Sequence, residues 1–124
     1  MRASASALYR AWTRGFDSWF AVPGSVRMSA EEGAPYFFES EHNGATHPHY
    51  GRFLRLRPER FIVMTWVTAA GTLGHETVVS LALRPAGMGT VLTLTQKGFP
   101  SEDLLKRAED AWPETLAHLD HVLT

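Results

Sequence analysis

The chain contains no cysteine, which removes disulfides, thiolate metal sites and cysteine nucleophiles from consideration. It carries no excess of charge either. Twelve lysines and arginines against thirteen aspartates and glutamates leave a formal net charge of −1, too little to hold a nucleic-acid backbone or an anionic bilayer by electrostatics. No apolar run approaches the ~18 residues of a membrane span. The opening Met1-Arg2-Ala3-Ser4-Ala5-Ser6 lacks the hydrophobic stretch of a secretory signal. These absences set the expectation of a cytoplasmic protein with no nucleic-acid and no membrane partner. Catalytic signatures are missing as well. There is no Gly-x-Ser-x-Gly elbow, His75-Glu76 lacks the second histidine of a zincin, and Gly71–Gly74 and Gly87-Met88-Gly89 are too short for a phosphate loop.

What is present is a change of period along the chain. At 124 residues, with 44% hydrophobic and 20% charged side chains, the chain suits one domain that buries roughly two-thirds of its unfolded surface. Residues 4–13 favour a helix capped by Ser4 or Ser6, with Leu8, Ala11 and Trp12 on one face and Gly15 as the stop. Phe16–Phe20 adds a short turn before the breaker pair Pro23-Gly24, so Trp12, Trp19 and Phe20 form an aromatic structural anchor. The period then becomes that of strands: a weak one at Val26–Ser29, then Tyr36–Ser40, Tyr50–Arg57, Phe61–Thr68, Thr77–Arg84 and Val91–Gln96. Residues 41–48, rich in Asn, Gly, His and Pro, read as a polar loop, and Pro85–Gly89 as a turn. Short serial connections with no helix between them predict an antiparallel meander.

From Ser101 the helical period returns. Ser101 is a good N-cap, Glu102 and Asp103 suit the helix dipole, and Leu104, Ala108, Trp112, Leu116, Leu119 and Leu123 form a stripe. Pro113 inside this run removes a backbone donor and predicts a kink near Glu109–Pro113.

The polar candidates are few. His42, His47 and His49 cluster in the polar stretch, but a tight metal site needs further preorganised ligands, so the histidines read as solvated loop residues and no metal is expected. His118 and His121, three apart on the last helix, read as exposed. Arg52, Arg55, Arg57 and Arg60 are the only local concentration of one charge and read as a solvated sheet face. The core-facing strand positions are apolar or hydroxyl-bearing, with Gln96 the polar exception; an amide there can orient a ligand but cannot act as a base.

An ordered set of residues carries a family resemblance. Leu8-Tyr9-Arg10-Ala11-Trp12-Thr13 followed by Trp19-Phe20 resembles the opening corner of START-like (SRPBCC) domains, and among them the homologues of the activator of heat-shock protein 90 ATPase. Gly51, Pro58-Glu59-Arg60-Phe61, Thr65-Trp66, Thr77–Leu81, Gly89–Thr95, Gly98-Phe99, and Trp112 with Leu116 follow in the family's order, covering about residues 7–124.

The resemblance implies an α+β helix-grip fold, a curved antiparallel sheet of about six strands wrapped around a long C-terminal helix with a cavity between them. The domain would comprise a helical corner at 4–20, a sheet at 26–97 and a helix at 101–123. Three features depart from the family pattern. The usual first strand is missing, Gln96 replaces a frequent histidine, and Ala111 replaces a glycine ahead of Trp112-Pro113. In the implied fold the missing strand would lie beside Val91–Gln96, so two chains meet there as a homodimer, or residues 1–5 pair in a shortened way.

The functional expectation is non-catalytic binding of a small hydrophobic or amphipathic ligand, with no cofactor. Trp66, Leu81, Leu94, Trp112 and Leu116 are the expected cavity wall, with Gln96 as a polar handle. The alternatives are a co-chaperone-like module whose Arg52–Arg60 stretch meets a chaperone, and a cyclase- or hydratase-like enzyme, which would need inward ionisable groups.

Overall fold

The structure, a computed structural model, describes residues 1–124. Helix α1 (Ala5–Thr13) begins where the Ser4 hydroxyl accepts the Ala7 N–H at 3.1 Å, and a 3-10 turn at Phe16–Ser18 follows. Six strands come next: β1 (Arg27–Met28), β2 (Pro35–His42), β3 (Ala45–Arg57), β4 (Phe61–Thr68), β5 (Thr77–Ala86) and β6 (Gly89–Lys97). They pair antiparallel in sequence order, and helix α2 (Glu102–Leu123) closes the chain. This is the expected helix-grip arrangement, a curved antiparallel sheet gripping a long terminal helix. No helix is long and apolar enough to cross a membrane.

One expectation is corrected. The stretch 41–48 is no loop: β2 continues through His42, β3 starts at Ala45, and only Asn43-Gly44 turns the chain. Both turn residues have positive φ, 53° and 78°, the two-residue geometry whose twist matches paired strands and which Asn-Gly favours. Pro48 fits because pairing between β3 and β4 begins only at His49↔Thr68. The hairpin tip therefore projects past the sheet as a two-stranded ribbon, where a missing N–H costs no ladder bond. The β5–β6 turn is likewise tighter than expected, with β5 running through Ala86.

Two devices shape β3. At Gly51 the strand passes under the Tyr36 ring, whose hydroxyl donates to the Thr65 carbonyl at 2.6 Å. A Cβ at Gly51 would clash with that same carbonyl oxygen, so only glycine fits. Between Phe53 and Arg55 the register slips. This bulge absorbs Leu54 and keeps Phe53 inward while turning Arg55 and Arg57 outward, over the Phe61 ring at 5.6 and 5.8 Å.

The core is one continuous cluster along the inner face of the sheet. Trp12, Phe16, Phe38, Phe53, Ile62 and Met64 are fully buried there, and Phe16 stacks on Phe38 at 4.5 Å. No strand precedes α1. Instead Met1 and Thr90 exchange backbone hydrogen bonds at 2.7 and 2.9 Å, and the Thr90 hydroxyl donates to the Ala3 carbonyl at 2.8 Å. The start of β6 is thus paired in the shortened way, while the rest of its outer edge has no strand beside it. The Arg2 and Ala3 N–H groups in turn donate to the Asp120 carboxylate at 3.1 and 2.9 Å, tying the end of α2 to the same point. Burial alone would raise the pKa of Asp120, but these two N–H groups, the terminal ammonium and Arg2 outweigh it and hold it low.

Candidate functional site: a groove beneath the C-terminal helix

Helix α2 is fastened at its ends and stands off the sheet between them. Leu104 and Leu119 are buried, whereas Leu105, Ala108, Trp112 and Leu116 are only half-covered. The helix continues unbroken through Pro113. Under its middle lie two open spaces of about 570 and 530 Å³, which share Gln96, Ala108 and Trp112 in their walls. Trp112 divides the groove.

Its indole is held firmly. The Trp112 Nε1–H donates to Gln96 Oε1 at 2.8 Å, Gln96 Nε2 donates to Thr77 Oγ1 at 3.0 Å, and the Thr77 hydroxyl donates to the Trp66 carbonyl at 2.6 Å. Gln96 faces the groove, but both ends of its amide are engaged in bracing Trp112 against the sheet. Of the residues expected in the wall, Trp66, Gln96 and Trp112 line the larger space, and Leu94, Gln96, Trp112 and Leu116 the smaller. Leu81 lines neither; it is 1% exposed and packs in the core.

The sequence reading missed His49. Expected as a solvated loop residue, it is 8% exposed on β3 and faces the larger space. Its register partner is Phe38, and their rings stack at 4.9 Å and 8°. Trp66 and Phe20 meet it edge-on at 5.3 and 5.2 Å. Nε2 lies 2.8 Å from Ser40 Oγ, while Nδ1 is buried without a partner. Burial, with a smaller contribution from His47, pushes its pKa down to about 4. The imidazole is therefore neutral at neutral pH.

A serine hydroxyl against an imidazole nitrogen has the spacing of a nucleophile and its base. Here the chemistry does not follow. Nδ1 has no carboxylate to orient the ring, and an imidazole with so low a pKa is a weak base. The pair is a hydrogen-bonding element of the wall. His42 and His47 line the same space with their rings 6.5 Å apart, and no three His, Asp or Glu side chains converge as metal ligands.

The profile of the Activator of Hsp90 ATPase homolog 1-like proteins matches residues 2–124. The chain belongs to that family. Solved structures share the architecture. Protein CV1439 from Chromobacterium violaceum superposes with a TM-score of 0.83 at 24% identity, over 99% of this chain and 91% of that one. Protein MLL2253 from Mesorhizobium loti gives 0.75 at 22%, over 99% and 90%. The Aha1 dimer from Colwellia psychrerythraea gives 0.68 at 20%, again over 99% and 90%. At such identities the likeness establishes the fold and leaves the activity to be argued from the groove. No curated protein matches the sequence.

Proposed function

We propose that the protein binds a small hydrophobic or amphipathic ligand in the groove between sheet and α2, and releases it unchanged. One observation carries this reading: a terminal helix anchored at both ends and propped off the sheet by Trp112, with about 570 and 530 Å³ left beside the prop. Each volume falls within the ~300–1,000 Å³ usual for small-molecule sites. Most of the wall area is apolar, Gln96 cannot act as a base and the buried His49 is a weak one, which favours binding over turnover.

Native mass spectrometry of freshly purified protein tests the reading directly. A co-purifying small molecule is expected on the wild-type chain and absent from Ala108→Trp, which puts an indole into the wall shared by both spaces. A wild-type protein that also fails to bind any apolar probe would refute it.

Two observations support an interaction role beside this. Arg55 and Arg57 lie over Phe61 on the outer sheet face near exposed Arg52 and Arg60, a surface suited to an acidic partner such as a chaperone domain. Reversing Arg55 and Arg57 to glutamate should then abolish capture of that partner while sparing ligand binding. The outer edge of β6 beyond Thr90 also has no strand beside it, and a second copy of the chain could pair there. Light scattering that shows monomer at high concentration would exclude the pairing.

A further inference from the structure

The two halves of the groove differ in charge. The smaller is lined by both Lys97 and Glu109. The larger has no aspartate or glutamate in its wall; its titratable side chains are His42, His47, His49 and Arg107. Arg107 is exposed at the mouth and carries no ion pair, since the single cation–carboxylate contact within 4.0 Å in the molecule is Arg2–Asp120 at 3.9 Å. Its helix neighbours Asp103 and Asp110 do not close on it. The larger space thus presents a permanent cation and no carboxylate in its wall, the exposed Asp103 and Asp110 lying outside it.

Inside, the Ser40–His49 pair supplies an uncharged donor. With no acceptor near the buried Nδ1, the tautomer of lower cost leaves a lone pair there rather than an unmatched N–H, which puts the ring proton on Nε2. Nε2 then donates to Ser40 Oγ across their 2.8 Å. Ser40 has no other hydrogen bond, so its own proton is free for an acceptor in the space. Around it, Phe20, Trp66 and Trp112 form an aromatic wall, with ring centroids 6.1 Å apart for Phe20–Trp66 and 5.5 Å for Trp66–Trp112.

We infer that the half of the groove beside His49 selects amphipathic monoanions, carboxylates on a flat apolar body. The body lies against Trp66, Phe20 and Trp112, the Arg107 guanidinium meets the charge, and the Ser40 hydroxyl, set by His49, donates to an oxygen of the ligand. A single permanent cation matches a single negative charge, and its planar fork suits a carboxylate. The inference rests on the reading of the groove as a ligand site.

Three probes with one body separate the two claims: 2-naphthaleneacetic acid, its primary amide, and 2-(2-naphthyl)ethylamine, titrated near neutral pH by calorimetry. The acid should bind about tenfold more tightly than the amide, as a charge-assisted hydrogen bond implies, and the amine most weakly. Arg107→Gln should remove the preference for the acid, and Arg107→Glu should reverse the order of acid and amine. Both changes lie on an exposed helix surface, and unchanged thermal unfolding confirms that they fold. Equal binding of the three probes by the wild-type protein overturns the charge selectivity and leaves the ligand site standing. Binding of none of them up to millimolar concentration overturns both.

Discussion

Two neighbouring regions of the inner sheet face, in contact where Trp12 meets Trp112 at 5.8 Å, use similar side chains differently. Around Trp12, Phe16 and Phe38, aromatic rings are fully buried, edge-on at 5.3 Å for Trp12–Phe16 and stacked at 4.5 Å for Phe16–Phe38. Under the middle of α2, Trp112, Leu94 and Leu116 are equally apolar and stay half-covered. Composition does not separate the regions; fastening does. The first is closed by α1, which packs its Leu8–Ala11–Trp12 face directly on the core. The second is spanned by a helix whose buried contacts sit at Leu104 and Leu119, about four turns apart. The close-packed region and the accessible volume therefore lie side by side, divided by the Trp66 and Trp112 rings.

The sharpest way to break this contrast is to truncate a tryptophan in each region. Trp12→Ala should cost about 3–5 kcal/mol in chemical denaturation, as for a fully buried aromatic. Trp112→Ala should cost less, about 1–3 kcal/mol, because its side chain is only partly buried. Equal losses would mean that α2 is as tightly packed as α1.

Next in size is the effect of acid on His49. Its folded pKa, about 4, lies below the unfolded value of 6.5, so the unfolded chain takes up the proton first. Stability from this group is complete above pH 6.5 and declines as the pH falls towards 4, by on the order of 3 kcal/mol. A plot of denaturation midpoint against pH should lose that slope in His49→Leu. The depressed Asp120 is an exposed-end contact, and its contribution goes only at still lower pH, as the carboxylate that holds Arg2 and Ala3 is protonated.

Gly51→Ala probes the close-packed region by crowding it. The new methyl meets the Thr65 carbonyl oxygen, and displacing it strains the Tyr36 hydroxyl bond, for a loss of about 1–3 kcal/mol. A thermally neutral Gly51→Ala would show that β3 and β4 can part there without penalty. The smallest change is expected for Gln96→Leu, which unbraces Trp112. Global stability should fall by about 0.5–1.5 kcal/mol, while Trp112 fluorescence should become more mobile in anisotropy decay.

Much of this architecture was legible in the sequence because its signals are local. Strand and helix periods, the Ser4 and Ser101 caps and the aromatic corner need no knowledge of distant contacts. The site was less legible, for two physical reasons. The bulge at Leu54 changes which side chains of β3 face inward, and strict alternation cannot reveal a register slip. His49 was hidden differently. Its segment looks like a polar loop until Asn43-Gly44 is taken as a two-residue hairpin turn, which pairs His42 with Ala45 and therefore Phe38 with His49. Phe38 lies on the inward face with Tyr36, so His49 must too. That signal was in the chain and was outweighed by composition. Gln96 was placed on the correct face, but its engagement by Trp112 and Thr77 depends on how α2 lies, which no local pattern encodes.

The way α2 is fastened also bears on traffic. A beam pinned at both supports cannot swing up like a hatch, and the chambers on either flank of its central strut already open sideways to solvent. Guests would slip in beneath it without waiting for the beam to detach. Their arrival rates, followed by stopped-flow fluorescence, should scale with solvent viscosity and stay indifferent to substitutions that loosen the anchorage at Leu119.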